Sequence, residues 1–146
     1  SFLPSDIISA YLFAQLENLD TIQNRRKIIW QNYWDRLAPV LPEFGITLPI
    51  IPTWATNNGH MFYLVCKDIE QRTHLIAKLK EAGINAVFHY LSLHSSPYFQ
   101  QRHDGRPLPN SDRFSNCLVR LPLYYELTDE EVECVSNTII SSLHQR

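Results

Sequence analysis

Between Pro4 and Pro39 the chain runs for 34 residues without a glycine or a proline, "SDIISAYLFAQLENLDTIQNRRKIIWQNYWDRLA". Nothing in that run breaks a helix. Pro4 suits a first-turn position, Ser5 and Asp6 offer capping oxygens and favourable charge, and Pro39 is the stop. Helix is therefore expected from about residue 5 to about residue 37, with a bend near residues 18–20. Its second half is amphipathic, since Ile22, Ile29, Trp30, Tyr33 and Leu37 recur at helical spacing. The first half is not. From Ile7 to Leu16 only Ser9 and Gln15 are polar, and Ile8, Tyr11, Leu12, Phe13 and Leu16 surround the axis. A helix apolar on all sides has to be covered on all sides. About 33 residues at ~1.5 Å rise also make roughly 50 Å of helix, against about 40 Å for the diameter of a domain of this size. One end should project, and it is the apolar one. Together with the missing initiator methionine, this leads us to expect a C-terminal piece of a larger protein.

The remaining residues read as alternating elements. Residues 45–49 suggest a short strand, 51–59 a polar loop and 60–67 ("HMFYLVCK") a buried strand. Residues 68–83 form a helix capped by Asp68, with Ile69, Leu75, Ile76 and Leu79 on its apolar stripe and Gly83 at its end. A second strand is expected over 84–90, a polar loop over 95–110, a short helix over 111–118 and an extended stretch over 119–124. A last helix spans 128–144, begun by Thr128 and an acidic first turn, with Val132, Val135, Ile139 and Leu143 on one face. The order α-β-α-β-α-β-α implies a small sheet packed with helices, an α/β or α+β layer architecture.

Charge and cysteine usage narrow the chemistry. The formal net charge is −2 over 146 residues, so nucleic acid is not expected as a partner. The densest basic run, Arg25-Arg26-Lys27, reads as the solvated face of its helix. No apolar run approaches the ~18 residues of a membrane span, so no membrane association is expected. Three cysteines without CxxC spacing, Cys66, Cys117 and Cys134, argue against a disulfide framework and for a reducing cytoplasm. All three read as inert core thiols. Lys27, Lys67, Lys78 and Lys80 are the only lysines, and none falls where a desolvated pocket would activate it. Four glycines leave no phosphate-cradling loop.

That elimination leaves "FHYLSLHSSP", residues 88–97, where a strand gives way to a loop. His89 and His94, five residues apart, have no adjacent cysteine or carboxylate to complete a metal site, so no metal is expected. His89, Tyr90 and His94 then form either a ligand-reading polar edge or two surface histidines beside a half-buried tyrosine.

Five ordered stretches carry a resemblance: the entry "SFLPSD", then "AYLFAQLENLDTIQNRRKIIWQNYWDRL", "NNGHMFYLV", "LKEAGINAVFHYLSLHSSP" and "RLPLYYELTDEE". Together they resemble the C-terminal domain of the DegT/DnrJ/EryC1/StrS sugar aminotransferases, over almost the whole chain. The resemblance implies the small domain of the type I fold of pyridoxal 5'-phosphate (PLP)-dependent transferases, the aspartate aminotransferase fold. Residues 1–38 would be the long connector helix and 39–146 the small domain, with the large cofactor-binding domain, its Schiff-base lysine included, outside this chain. It further implies a cytoplasmic homodimer. The reaction implied is transfer of an amino group from glutamate to C4 of a dTDP-4-keto-6-deoxyhexose, in surface polysaccharide synthesis of the enterobacterial common antigen type. In this reading His89 and Tyr90 lie beside the hexose, His94 belongs to the same motif, and His60 is a neighbour of the site. Arg120 matches as well, with a structural role in its strand as the simpler account. Imidazole and phenol can each donate to and accept from sugar hydroxyls, and a tyrosine ring packs on the apolar face of a pyranose. The rival from another class is a non-catalytic binding or scaffold module that recruits a partner through its apolar first helix.

Overall fold

The long helix is two helices. In the computed structural model, which describes residues 2–144, α1 (Asp6–Glu17) and α2 (Leu19–Leu37) meet at Asn18, whose backbone sits at φ −104°, ψ 10°. The Asn18 side-chain amide donates to the Ala14 carbonyl at 3.1 Å, and its backbone N–H turns to the Gln15 carbonyl at 3.1 Å. A short amide side chain that competes for helix carbonyls accounts for a break at this residue. The two halves then have opposite fates. Ile29, Trp30, Tyr33 and Leu37 of α2 are buried, whereas α1 contributes no buried residue at all. Ile7 is 82% exposed, Tyr11 72% and Phe13 65%.

Behind α2 lies an antiparallel ribbon of two strands, β1 (Phe62–Val65) and β2 (Leu118–Leu121), with Phe62 opposite Leu121 and Leu64 opposite Val119. Those four residues are buried, while Tyr63 and its partner Arg120 are half-buried on the other face, as the period of two requires. The Phe62 ring touches both Trp30 and Tyr33, at centroid distances of 5.2 Å. The Tyr33 hydroxyl donates to the Pro122 carbonyl at 3.0 Å. Burial, then Tyr124 and Glu131, push that phenol well above its ordinary range, so it stays protonated and able to donate.

Three further helices complete the packing: α3 (Ile69–Glu81), α4 (Pro109–Cys117) and α5 (Asp129–His144). α5 packs on both α2 and α3, and α4 packs on the ribbon. Their starts follow local chemistry. Asp68 accepts from the Gln71 N–H at 2.7 Å. Thr128 and Glu131 exchange side-chain-to-backbone bonds at 3.2 and 2.8 Å, a reciprocal capping box. Val132, Val135, Ile139 and Leu143 are buried as the spacing predicts.

Several expectations change. The strands expected over 45–49 and 84–90 are single bridges, Thr47 to Val65 and Val87 to Arg120. Each adds one pair of backbone bonds to the ribbon and then leaves it, so only four residues per strand sustain a ladder. Ile69 is 48% exposed rather than on the buried stripe. Cys134 is exposed, unlike the buried Cys66 and Cys117, because position 134 of α5 falls outside the face carrying Val132 and Val135. Of the basic run only Lys27 is an exposed, solvated position. The Arg25 guanidinium donates to the Leu127 carbonyl and pairs with Asp129 at 3.1 Å. Arg26 donates to the carbonyls of Gly59 and His60 at 3.0 and 2.6 Å. These two arginines tie α2 to the loops at both of its flanks.

Gly59 is buried and has φ +59°, and a Cβ there would stand 2.9 Å from the Arg26 carbonyl carbon. Gly83 has φ +76° with nothing within 4 Å of such a Cβ. Both Gly→Ala changes incur the left-handed backbone penalty, on the order of 1 kcal/mol. Only Gly59→Ala adds a clash with helix backbone. Urea unfolding should therefore give a clearly lower midpoint for Gly59→Ala than for Gly83→Ala.

Apolar surface on α1 sets solution behaviour, because monomers rarely expose large apolar patches. The 146-residue chain should sediment as dimers or larger species at micromolar concentration. Replacing Leu12 and Phe13 by serine should shift it towards monomer without loss of helical circular dichroism elsewhere.

Candidate functional site

The bridge between Val87 and Arg120 fixes the geometry of the polar edge. Val87 N–H donates to the Arg120 carbonyl at 3.2 Å and Arg120 N–H to the Val87 carbonyl at 2.8 Å. Side chains directly opposite in an antiparallel pair share a face, and the diagonal neighbour two residues on is within reach of a long side chain. That neighbour is His89. Arg120 Nη1 lies 3.2 Å from His89 Nδ1, and the imidazole meets the Tyr90 ring edge-on at 3.9 Å between centroids. The His89–Tyr90 peptide bond is cis. Tyr90 is 72% exposed, so it is not the half-buried tyrosine of the bland reading.

Beyond Tyr90 the chain is pinned to α4 by serines. Ser115 Oγ donates to the Tyr90 carbonyl at 2.9 Å and accepts from the Ser92 N–H at 3.2 Å. Ser92 Oγ, buried, donates to the Ser111 carbonyl at 3.2 Å. A one-turn 3-10 helix, Leu93–Ser95, follows and aims His94 at α4, where its Nε2 lies 2.9 Å from Asp112 Oδ1. His94 also packs on His103, ring centroids 5.1 Å apart, and His103 Nε2 is 2.9 Å from the Arg106 carbonyl.

The predicted residues thus divide into groups. His89 and Tyr90 are together at the edge with Arg120 behind them. His94 is engaged with Asp112 and His103, which suits an anchor for the 89–96 segment. The His60 carbonyl accepts from Arg26, and His60 borders a second depression with Trp30, Asn57 and Tyr63, the strand partner of Arg120. Arg120 is the residue that sequence reasoning undervalued. Its signal was a charged residue in an otherwise apolar strand, and its purpose needed the Val87 bridge. Arg120 and Val87 also border a cavity of about 580 Å³ whose walls include Asn85, Tyr124 and Glu131.

Other chemistries find no support in the geometry. No three described His, Cys, Asp or Glu side chains are placed to hold a metal ion. Burial is the main cause that pushes the Cys117 thiol up, away from the thiolate a nucleophile needs. Among the described residues no lysine is set for a cofactor. Lys27, Lys67 and Lys80 are exposed, and Lys78 is held by Glu81 at 2.8 Å. Lys78 and Lys80 border open depressions, but no arginine and no helix N-terminus joins them there to receive a phosphate. No helix is long and apolar enough to cross a membrane among the described residues.

Known structures share this fold. The aminotransferase TlmJ from Streptoalloteichus hindustanus is 25% identical, with a TM-score of 0.80 over 90% of this chain and 34% of its own. DesV from S. venezuelae, solved in complex with a ketimine intermediate, is 25% identical with a TM-score of 0.82 over 92% of this chain and 35% of its own. The PLP-form of Spr1654 from Streptococcus pneumoniae shares the fold at 24% identity and a TM-score of 0.85, over 97% of this chain and 36% of its own. The chain therefore spans about a third of the proteins it matches, and its helices and small sheet correspond to that part of the aminotransferase fold. A family model matches residues 4–140, from two residues before α1 into α5, and the chain belongs to the DegT/DnrJ/EryC1/StrS aminotransferase family.

Proposed function

We propose that this chain is the small domain of a PLP-dependent sugar-nucleotide aminotransferase, and that His89 and Tyr90 read the hexose. The supporting observation is the exposed Tyr90 beside a His89 whose ring is held by Arg120. Fixed donors and an open aromatic face at one edge are what a pyranose requires. The whole enzyme would take its amino group from glutamate and deliver it to C4 of a dTDP-4-keto-6-deoxyhexose, as a dTDP-4-amino-4,6-dideoxygalactose transaminase does. PLP, the electron sink in such chemistry, would be held by sequence outside these 146 residues, in a cytoplasmic homodimer. Residues 1–38 would connect the two domains, with the buried face of α2 anchoring the connector and α1 lying against the large domain. His94 would act as an anchor, and His60 as a neighbour of the site.

Two experiments test this. In the whole enzyme, His89→Ala and Tyr90→Phe should each lower kcat/KM for the sugar nucleotide roughly 2- to 12-fold, the equivalent of one neutral hydrogen bond of about 0.5–1.5 kcal/mol. The half-reaction with the amino donor should be spared, since the donor has no hexose. Stopped-flow measurement of each half-reaction separates the outcomes: equal losses in both, or none in either, would defeat the sugar-reading role and leave His89 and Tyr90 as ordinary polar surface.

Separately, the 146-residue chain mixed with PLP and reduced with borohydride should show no stoichiometric adduct on a single lysine by mass spectrometry. A single fully labelled lysine would place the cofactor site in this chain after all.

A further inference from the structure

A guanidinium has five N–H donors and no acceptor. The 3.2 Å contact between Arg120 Nη1 and His89 Nδ1 can therefore be a hydrogen bond in one sense only, with arginine donating and the imidazole nitrogen accepting through its lone pair. A ring whose Nδ1 lone pair is engaged carries its proton on Nε2. Nε2 bonds to no other described residue. Arg120 itself cannot easily drift. Its backbone is bonded on one side to Val87 and is paired on the other with Tyr63 of β1, and both Arg120 and His89 are half-buried.

We infer that Arg120 is a positioning residue that locks His89 in the Nε2–H tautomer, making the free ring nitrogen an obligate hydrogen-bond donor. What the lock means for a ligand rests on the sugar-reading role proposed for His89 and narrows it. The ligand atom opposite Nε2 must offer a lone pair: a hydroxyl, ring or carbonyl oxygen qualifies and an N–H group does not. With its lone pair already taken at Nδ1, His89 has no basic nitrogen facing the ligand and is excluded as a proton acceptor there. Its part is recognition.

The lock can be read without substrate, so it stands or falls independently of sugar reading. Long-range ¹H–¹⁵N spectra of the ¹⁵N-histidine-labelled 146-residue chain report which imidazole nitrogen carries the proton. They should be recorded at about pH 8.5, two units above the ordinary imidazole value. His89, assigned by the signals lost in His89→Gln, should show a pyridine-like Nδ1 and a pyrrole-like Nε2. Arg120→Met, which keeps an extended side chain but no donor, should move both shifts towards the average of two exchanging tautomers. An Nδ1–H or already averaged pattern in the unmodified chain would overturn the inference, whether or not the variant folds. So would unchanged shifts in an Arg120→Met chain whose backbone amide spectrum is native.

Discussion

The contact of the Phe62 ring with Trp30 and Tyr33 is the interaction on which the ribbon depends. Two strands of four residues have too little ladder to persist in water unaided. Here they are stabilised because one face is pressed onto α2 through aromatic rings, which bury large areas and favour tilted or edge-on contact at these separations. The same aromatic group reaches further. Trp34 stacks on Trp30, and the Tyr33 hydroxyl holds the Pro122 carbonyl where the chain leaves β2. α2 is thus the template, and the ribbon and α5 are assembled on it.

The site follows from that template at one remove. With β2 fixed against β1, Arg120 points to the face opposite the core, and the segment that bridges at Val87 runs beside it. His89 comes into reach of the guanidinium by the alternation of an extended chain. Ser92, Ser111 and Ser115 then lay the following residues along α4. Short side chains with hydroxyls substitute for the ladder that a third strand would have supplied. An irregular segment can adopt a shape that a regular strand cannot, and it presents Tyr90 to solvent.

Much was legible beforehand where the signals are local. Asp68, Thr128 and Glu131 cap the helices that their positions announce, and the buried face of α5 is the one its period marks. The unusual character of residues 7–16 was also plain, and α1 indeed buries nothing within this chain. Misreadings came where pairing or docking decides. Residues 45–49 and 84–90 have strand composition, yet each finds only one residue's worth of partner. Arg25 and Arg26 look like surface charge until the loops at 59–60 and 127–129 arrive beside them.

The helices, their caps, the apolar α1 and the family can be read from the residues alone, because each is written in neighbouring residues or in ordered blocks along the chain. Tertiary structure alone decided that His89 has Arg120 behind it and that His94 belongs to Asp112 and His103. Those pairings join residues 18 or more positions apart in two of the three cases, and hydrogen bonds act over about 3 Å. No periodicity carries such information. It exists only once β2 is fixed against α2 and the segment after Val87 is laid beside it.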